Sequence, residues 1–223
     1  MIIFSEYYKI ISNVYEKGEC VMKKVYRDFF LHFDILTMFL LVLSGVIFVV
    51  SVGVETAFVL YFLLGLLTFA FSEYLTHRFL FHLKTPKNPH FLKFLKRIHY
   101  DHHTYPDDLK LLFLPLWYSL PNFLVICSIF YFIRDDFTGT VTFGLGLMTM
   151  LLTYEWKHYV AHRPLKPKTK FGRWVKKVHI LHHYKNENYW YGVSTPFADY
   201  LFGTFREEKE VETSRTAKNL EMR

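Results

Sequence analysis

Ten of the twelve histidines in this 223-residue chain fall into four short clusters. His77-Arg78-Phe79-Leu80-Phe81-His82 comes first, followed by His99-Tyr100-Asp101-His102-His103. His158 and His162 form the third cluster, and His179-Ile180-Leu181-His182-His183 the fourth. On a helix of 3.6 residues per turn, His158 and His162 share a face, and so do the rings of each triplet, which predicts three nitrogens pointing in nearly one direction. His77 and His82 are five residues apart, a spacing that splays them by roughly 140° on a regular helix. That pair needs a helix end or a distortion between its members, or two different metals to serve. Neutral imidazole suits iron, copper, zinc or nickel rather than magnesium or calcium. Ten ring ligands exceed one tetrahedral site and fit two adjacent metals of five or six ligands each. His32 and His90 stand apart and read as ordinary packed or surface residues.

Three carboxylates lie close to these rings in sequence. Glu73 precedes His77 by one turn at the edge of an apolar run, where an unpaired charge is expensive, so a hydrogen bond to a liganding ring is expected. Glu155, one turn before His158, and Asp101, inside the second cluster, are expected either in that role or as solvated interfacial acids.

The elements that must position these rings are read from charge. Ile35 to Val54 and Thr56 to Ser72 run for 20 and 17 residues without a charge, and Leu111 to Ile133 and Phe137 to Tyr154 for 23 and 18. Such lengths match a hydrocarbon layer about 30 Å thick. The fold expected is an all-α integral membrane domain of four transmembrane helices in two hairpins, with a helical cap carrying the histidines. The clusters follow the second and the fourth crossing, so all ten rings emerge on one side. Lys and Arg number 5 in residues 1–30, 7 in residues 77–110 and 14 after Tyr154, against one in the opposite turns. The positive-inside rule therefore puts the clusters and both termini in the cytoplasm.

Residues 1–30 carry Tyr7, Ile10, Ile11, Val14 and Tyr15 at roughly helical spacing, as an interfacial amphipathic helix or an ordinary solvated one would. Short interfacial helices are expected over residues 91–98 and 168–183, each running into a triplet, and a frayed tail over residues 206–223. Cys20 and Cys127 read as free thiols. Glycine-rich phosphate loops and Cys-x-x-Cys pairs are absent from the sequence. Its pI of about 9.2 reflects membrane topology better than a nucleic-acid partner. A non-catalytic metal-binding or transport protein is the alternative of another class, but a transporter places its ligands near the bilayer midplane rather than crowding them on one face.

The order His-x4-His, His-x2-His-His, His-x3-His, His-x2-His-His, with each half behind a membrane hairpin, resembles the sterol desaturase and fatty acid hydroxylase superfamily. Within it, the chain is most similar to the fatty acid 2-hydroxylases. The first box His77 to His82, the stretch Leu111 to Pro115, His182-His183-Tyr184-Lys185-Asn186, and Tyr191 through Asp199 to Thr204 carry the likeness over about residues 35–205. Where the family's Pro-Pro pair is expected, this chain has Leu114-Pro115. The resemblance implies two iron ions held by His77, His82, His99, His102, His103, His158, His162, His179, His182 and His183. It also implies dioxygen as co-substrate and hydroxylation of a long acyl chain, with desaturation, or oxidation of a sterol or carotenoid, as the alternative on the same scaffold. Zinc binds imidazole more tightly than ferrous iron but is redox-inert, so a zinc-filled preparation would leave iron as the working metal. No His-Pro-Gly-Gly haem motif occurs in the 223 residues. A separate electron donor, cytochrome b5-like or ferredoxin-like, is therefore implied.

Overall fold

The polypeptide enters its first hairpin through a short helix, α1 (residues 22–30), and then runs up α2 (Phe33–Val52) and back down α3 (Thr56–Thr76). The computed structural model describes residues 22–223. Between α2 and α3, Gly53 takes φ 108°, a left-handed conformation that only glycine adopts cheaply, and its N–H donates to Val49 O. After α3 come α4 (Pro89–Leu95), α5 (Asp101–Thr104) and α6 (Leu109–Leu112), and then the second hairpin of α7 (Leu116–Arg134) and α8 (Phe137–His162). Asp135 at φ 48° and Asp136, whose side chain accepts from Gly139 N–H at 2.7 Å, make that hairpin's turn. α9 (Lys170–Tyr184) and α10 (Phe197–Leu201) complete the cap. Among the described residues, the spans long and apolar enough to cross a membrane are Phe33–Val52, Thr56–Phe81, Leu109–Arg134 and Phe137–His162. These are the expected two hairpins, and both bring their histidines to the same end of the bundle.

Helix α8 is the axis. Of its apolar span 61% is buried, against 17% for α2, which turns most of its surface outward. α3 packs on α8 through a pair of glycines. A Cβ on Gly65 would lie 2.9 Å from Gly146 Cα and overlap Phe143 O, and a Cβ on Gly146 would meet Phe62 O. Small residues at this crossing let the two backbones touch, the usual device between membrane helices. Because α3 ends at His77 and α8 ends at His162, this contact sets how far apart the first and third histidine clusters lie.

Two of the sequence expectations fall wholly or partly outside the described residues: Cys20, and the helix over residues 1–30 up to residue 21. Within α1, Val25 and Phe29 are buried against α8, and Tyr159 Oη donates to Val25 O at 2.7 Å. Cys127 is a free thiol. The frayed tail is corrected. Val211, Ala217 and Leu220 are buried, and Ser214 N–H donates to Lys185 O at 2.7 Å. Three well-spaced apolar side chains suffice to dock a segment whose composition is otherwise charged.

Candidate metal centre

His77 and His82 are brought onto one face by a change of helix type. From His77 to Phe81 the chain forms a π-helical turn, and His82 N–H donates to His77 O at 3.2 Å. With more residues per turn, a five-residue spacing nearly closes one revolution, which is the distortion that this spacing predicted. A second π-turn, Lys96–Tyr100, joins α4 to α5 and contains His99. Asn88 caps α4, accepting from His90 and Phe91 N–H, with Pro89 at its first position. His158 and His162 sit one turn apart at the end of α8, and His179, His182 and His183 lie on the last turns of α9, which Thr169 caps.

The ten rings converge into two nests. His77, His82, His99, His103 and His182 form one; His102, His158, His162, His179 and His183 form the other, with donor atoms within 4.8 Å of one another in each. The expectation that each triplet points one way is corrected, because His103 and His182 face the first nest while His102 and His183 face the second. Neighbouring residues on a helix diverge by about 100°, so a His-His pair straddles two sites. Each half of the chain thus gives four rings to one nest and one to the other. His103 and His183 stack at 4.1 Å between centroids, forming the wall between the nests. His32 lies elsewhere, against Phe113 at 4.6 Å, and His90 is exposed.

Ring geometry fits metal ions in these nests. In the first, Nε2 separations are 3.1 Å for His77–His99, 3.2 Å for His77–His82, 2.9 Å for His82–His99, 3.0 Å for His99–His103 and 3.0 Å for His82–His182. His102–His158 and His162–His179 stand at 2.8 and 2.9 Å in the second. Ligands about 2.1 Å from an ion are about 3.0 Å apart in octahedral geometry and about 3.4 Å in tetrahedral geometry. The observed edges are those of a five- or six-ligand site. Moreover, His77, His103 and His182 donate their Nδ1–H to the carbonyls of Tyr191, Ala217 and Tyr189, at 2.5, 2.7 and 2.7 Å. Their Nε2 atoms therefore carry bare lone pairs aimed into the nest, free to accept a hydrogen bond or to ligate a cation.

Burial keeps the rings outside the membrane spans neutral. Desolvation, followed by the neighbouring imidazoles, holds His82, His99, His102, His179, His182 and His183 well below the usual 6.5, and desolvation lowers His103 to about 3.

Glu73 and Glu155 act differently from expectation, whereas Asp101, 34% exposed, is the interfacial acid of the second expectation. Glu73 does not touch a ring: its Oε1 accepts from Val193 and Ser194 N–H at 2.6 and 2.9 Å, and Ser194 Oγ donates to its Oε2. Glu155 accepts from Leu114 N–H at 2.9 Å, and Asp101 lies 3.8 Å from Lys96 Nζ. The ring partners are backbone carbonyls, which no side-chain pattern announces. Asp199, fully buried, accepts from Tyr191 and Gly192 N–H at 2.8 and 2.7 Å and from Thr204 Oγ1 at 2.7 Å. Burial raises its pKa. Glu73 and Asp199 thus grip residues 191–194 from two sides. Trp190, buried with φ 61°, turns the chain so that the carbonyls on both sides of it reach the first nest. Sequence reasoning had marked Tyr191 to Asp199 as a recognisable stretch without finding this role.

Beside the nests, α3, α7 and α8 enclose a cleft with about 610 Å³ of space not filled by protein, part of it open to the exterior. His77 forms part of its wall, together with Phe69, Phe123 and Leu151, and no Lys or Arg lines it.

The family model for fatty acid hydroxylase matches residues 62–204. The chain is 36% identical over 160 residues to the fatty acid 2-hydroxylase of Mus musculus, covering 70% of this chain and 42% of that protein. It is 32% identical over 163 residues to the ceramide very long chain fatty acid hydroxylase scs7 of Schizosaccharomyces pombe, covering 69% and 45%. With the dihydroceramide fatty acyl 2-hydroxylase FAH1 of Arabidopsis thaliana it shares 32% over 148 residues, covering 63% and 58%. The chain thus spans between two fifths and three fifths of these relatives. A solved structure of full-length scs7p, in which only the hydroxylase domain is visible, superposes with a TM-score of 0.68 at 26% identity, covering 80% of this chain and 67% of that one.

Proposed function

We propose, from the premise that this chain belongs to the fatty acid hydroxylase family, that it is a membrane dimetal oxygenase placing a hydroxyl on C2 of a long acyl chain. The observation that carries this reading is the meeting of nest and cleft at His77, which belongs to both. The ten clustered histidines are the metal ligands. Two iron ions bound there supply the oxidation of an aliphatic C–H bond, with the balance R–H + O2 + 2e⁻ + 2H⁺ → R–OH + H2O.

The residues do the rest. The carbonyls of Tyr189, Tyr191 and Ala217 fix three rings with Nε2 toward the centre. Aromatic and aliphatic walls exclude water and hold an acyl chain extended in the bilayer. With no cation in the lining, a free carboxylate finds no counter-charge, and the lining suits a neutral acyl amide. Ser119 Oγ, buried in the cleft without a hydrogen-bond partner, is available to such a headgroup. The names of the relatives from fission yeast and Arabidopsis, which specify ceramide and dihydroceramide, agree with an N-acyl lipid. The nest end of the bundle faces the cytoplasm in this reading, supported by the excess of Lys and Arg there. Exposed Lys166, Lys168 and Lys170 offer a basic face on which an acidic external electron donor docks.

The test is lipid mass spectrometry of cells expressing the intact chain or a variant with His182 and His183 changed to Ala. A lipid heavier by one oxygen, with its hydroxyl next to the acyl carbonyl, is expected only with the intact chain. Identical lipid profiles reject the proposal.

A further inference from the structure

The two nests are built unequally, and the difference traces to the segment expected to fray. In the first nest, three rings donate Nδ1–H to loop carbonyls; in the second, the Nδ1 atoms of His102, His179 and His183 have no hydrogen-bond partner among the described residues. One of those carbonyls, Ala217 O, belongs to residues 211–223, which lie beyond the family match at residues 62–204.

That segment is anchored at both levels. Leu220, fully buried, packs into the cluster of Phe81, Leu95, Ile98 and Tyr100, residues of the two π-turns and the helix between them. Thr104 Oγ1 donates to Lys218 O at 3.2 Å, and Lys96 Nζ pairs with Glu221 at 2.5 Å. Arg223 sends its guanidinium inward, donating to His82 O at 2.8 Å and to Asn188 Oδ1 at 2.8 Å. Its Nε lies 3.7 Å from Glu187, a carboxylate 1% exposed that also accepts from Thr216 Oγ1 at 2.5 Å. The segment therefore ties together the end of α3, the α5 turn and the loop carrying Tyr189 and Tyr191. Its contacts with clustered histidines, Arg223 with His82 O and, at 3.4 Å, His82 Nδ1, and Ala217 O with the His103 ring, all fall in the first nest.

We propose that residues 211–223 are a strap that positions His82 and His103 and so governs retention of one metal ion of two, leaving the other to the helices. The inference rests on the metal reading above. Ala217 O fixes the tautomer and rotation of the His103 ring, and Arg223 fixes the backbone that carries His82. Loss of such an outer partner weakens metal binding by roughly 10–100-fold.

The test uses the full chain in detergent, loaded with zinc alone and challenged with graded chelator, with zinc per chain counted by mass spectrometry. Wild type is expected to retain two ions. Arg223→Gln and Leu220→Asp are expected to release one of them at 10–100-fold lower chelator while holding the second at wild-type resistance. Arg223→Lys, which keeps the charge and one donor, is expected to recover part of the lost resistance. Should Leu220→Asp fail to fold, Thr216→Val removes only the hydroxyl bonded to Glu187 and is expected to show the same one-ion loss to a smaller extent. Parallel loss of both ions, or unchanged retention of both in Arg223→Gln, overturns the strap. A wild-type chain that binds no zinc overturns the metal reading, and the strap with it.

Discussion

At the scale of single residues, chemistry was legible where it resides in side chains and hidden where it resides in the backbone. The ten histidines announced themselves by type and spacing, and they meet in the two nests. The division of each His-His pair between nests follows from the 100° step between neighbours, yet nothing in the triplet itself says how the helices are rotated. Glu73 was noticed for the right reason, the cost of a charge at the membrane edge, but its partners are Val193 and Ser194 from the far end of the chain. This gives a prediction at the same scale. Glu73→Ala leaves two buried N–H groups without an acceptor, at about 1–3 kcal/mol each, and loosens the stretch that ends in the Tyr191 carbonyl. A lower thermal midpoint in detergent is expected, together with partial loss of metal. An unchanged midpoint would show that residues 191–194 need no such clamp.

At the scale of elements, the four spans were found with six of their eight ends within two residues, because the absence of charge is a robust signal. The sequence expectation stopped the second span at Ser72 and the fourth at Tyr154, whereas the helical stretches run on to Phe81 and His162. A charge-based boundary falls at the first charged residue, while the helix continues two turns further to carry its ligands. The π-turn at His77 was anticipated as a need and not as a geometry. The glycine contact between α3 and α8 was not anticipated at all. In the sequence Gly146 is one small residue within an apolar run, and its reason is visible only with Gly65 opposite. Gly146→Val must push α3 away from α8 and with it His77 away from His158. Overpacking of this kind costs about 1–3 kcal/mol. The variant is expected to unfold at lower temperature and to purify with less metal, by calorimetry and elemental analysis. A fully loaded, equally stable Gly146→Val would refute the close approach.

For the molecule as a whole, the neutral, buried rings set the response to acid. Unfolded, each histidine takes up a proton near 6.5; folded, His103 resists until about 3, and His82, His99, His102, His179, His182 and His183 are held well below their usual value. Below about pH 6.5 the unfolded state therefore binds more protons than the folded one, and stability of the metal-free protein falls as pH falls. Thermal midpoints of chelator-stripped protein at pH 7.5, 6.5 and 5.5 are expected to decline in that order. A flat or rising series contradicts the burial of these rings.

The crossed allotment of rings carries a consequence for how the protein is made. A ribosome that has delivered residues up to Thr104 has supplied His77, His82, His99 and His103 to one nest and only His102 to the other, and neither set closes until His182 and His183 emerge at the far end of α9. The nascent first half cannot trap an ion in a finished cage. Closure of either five-ring nest must wait for the second hairpin, and an ion held there would rivet together two stretches of chain that were synthesised far apart in time.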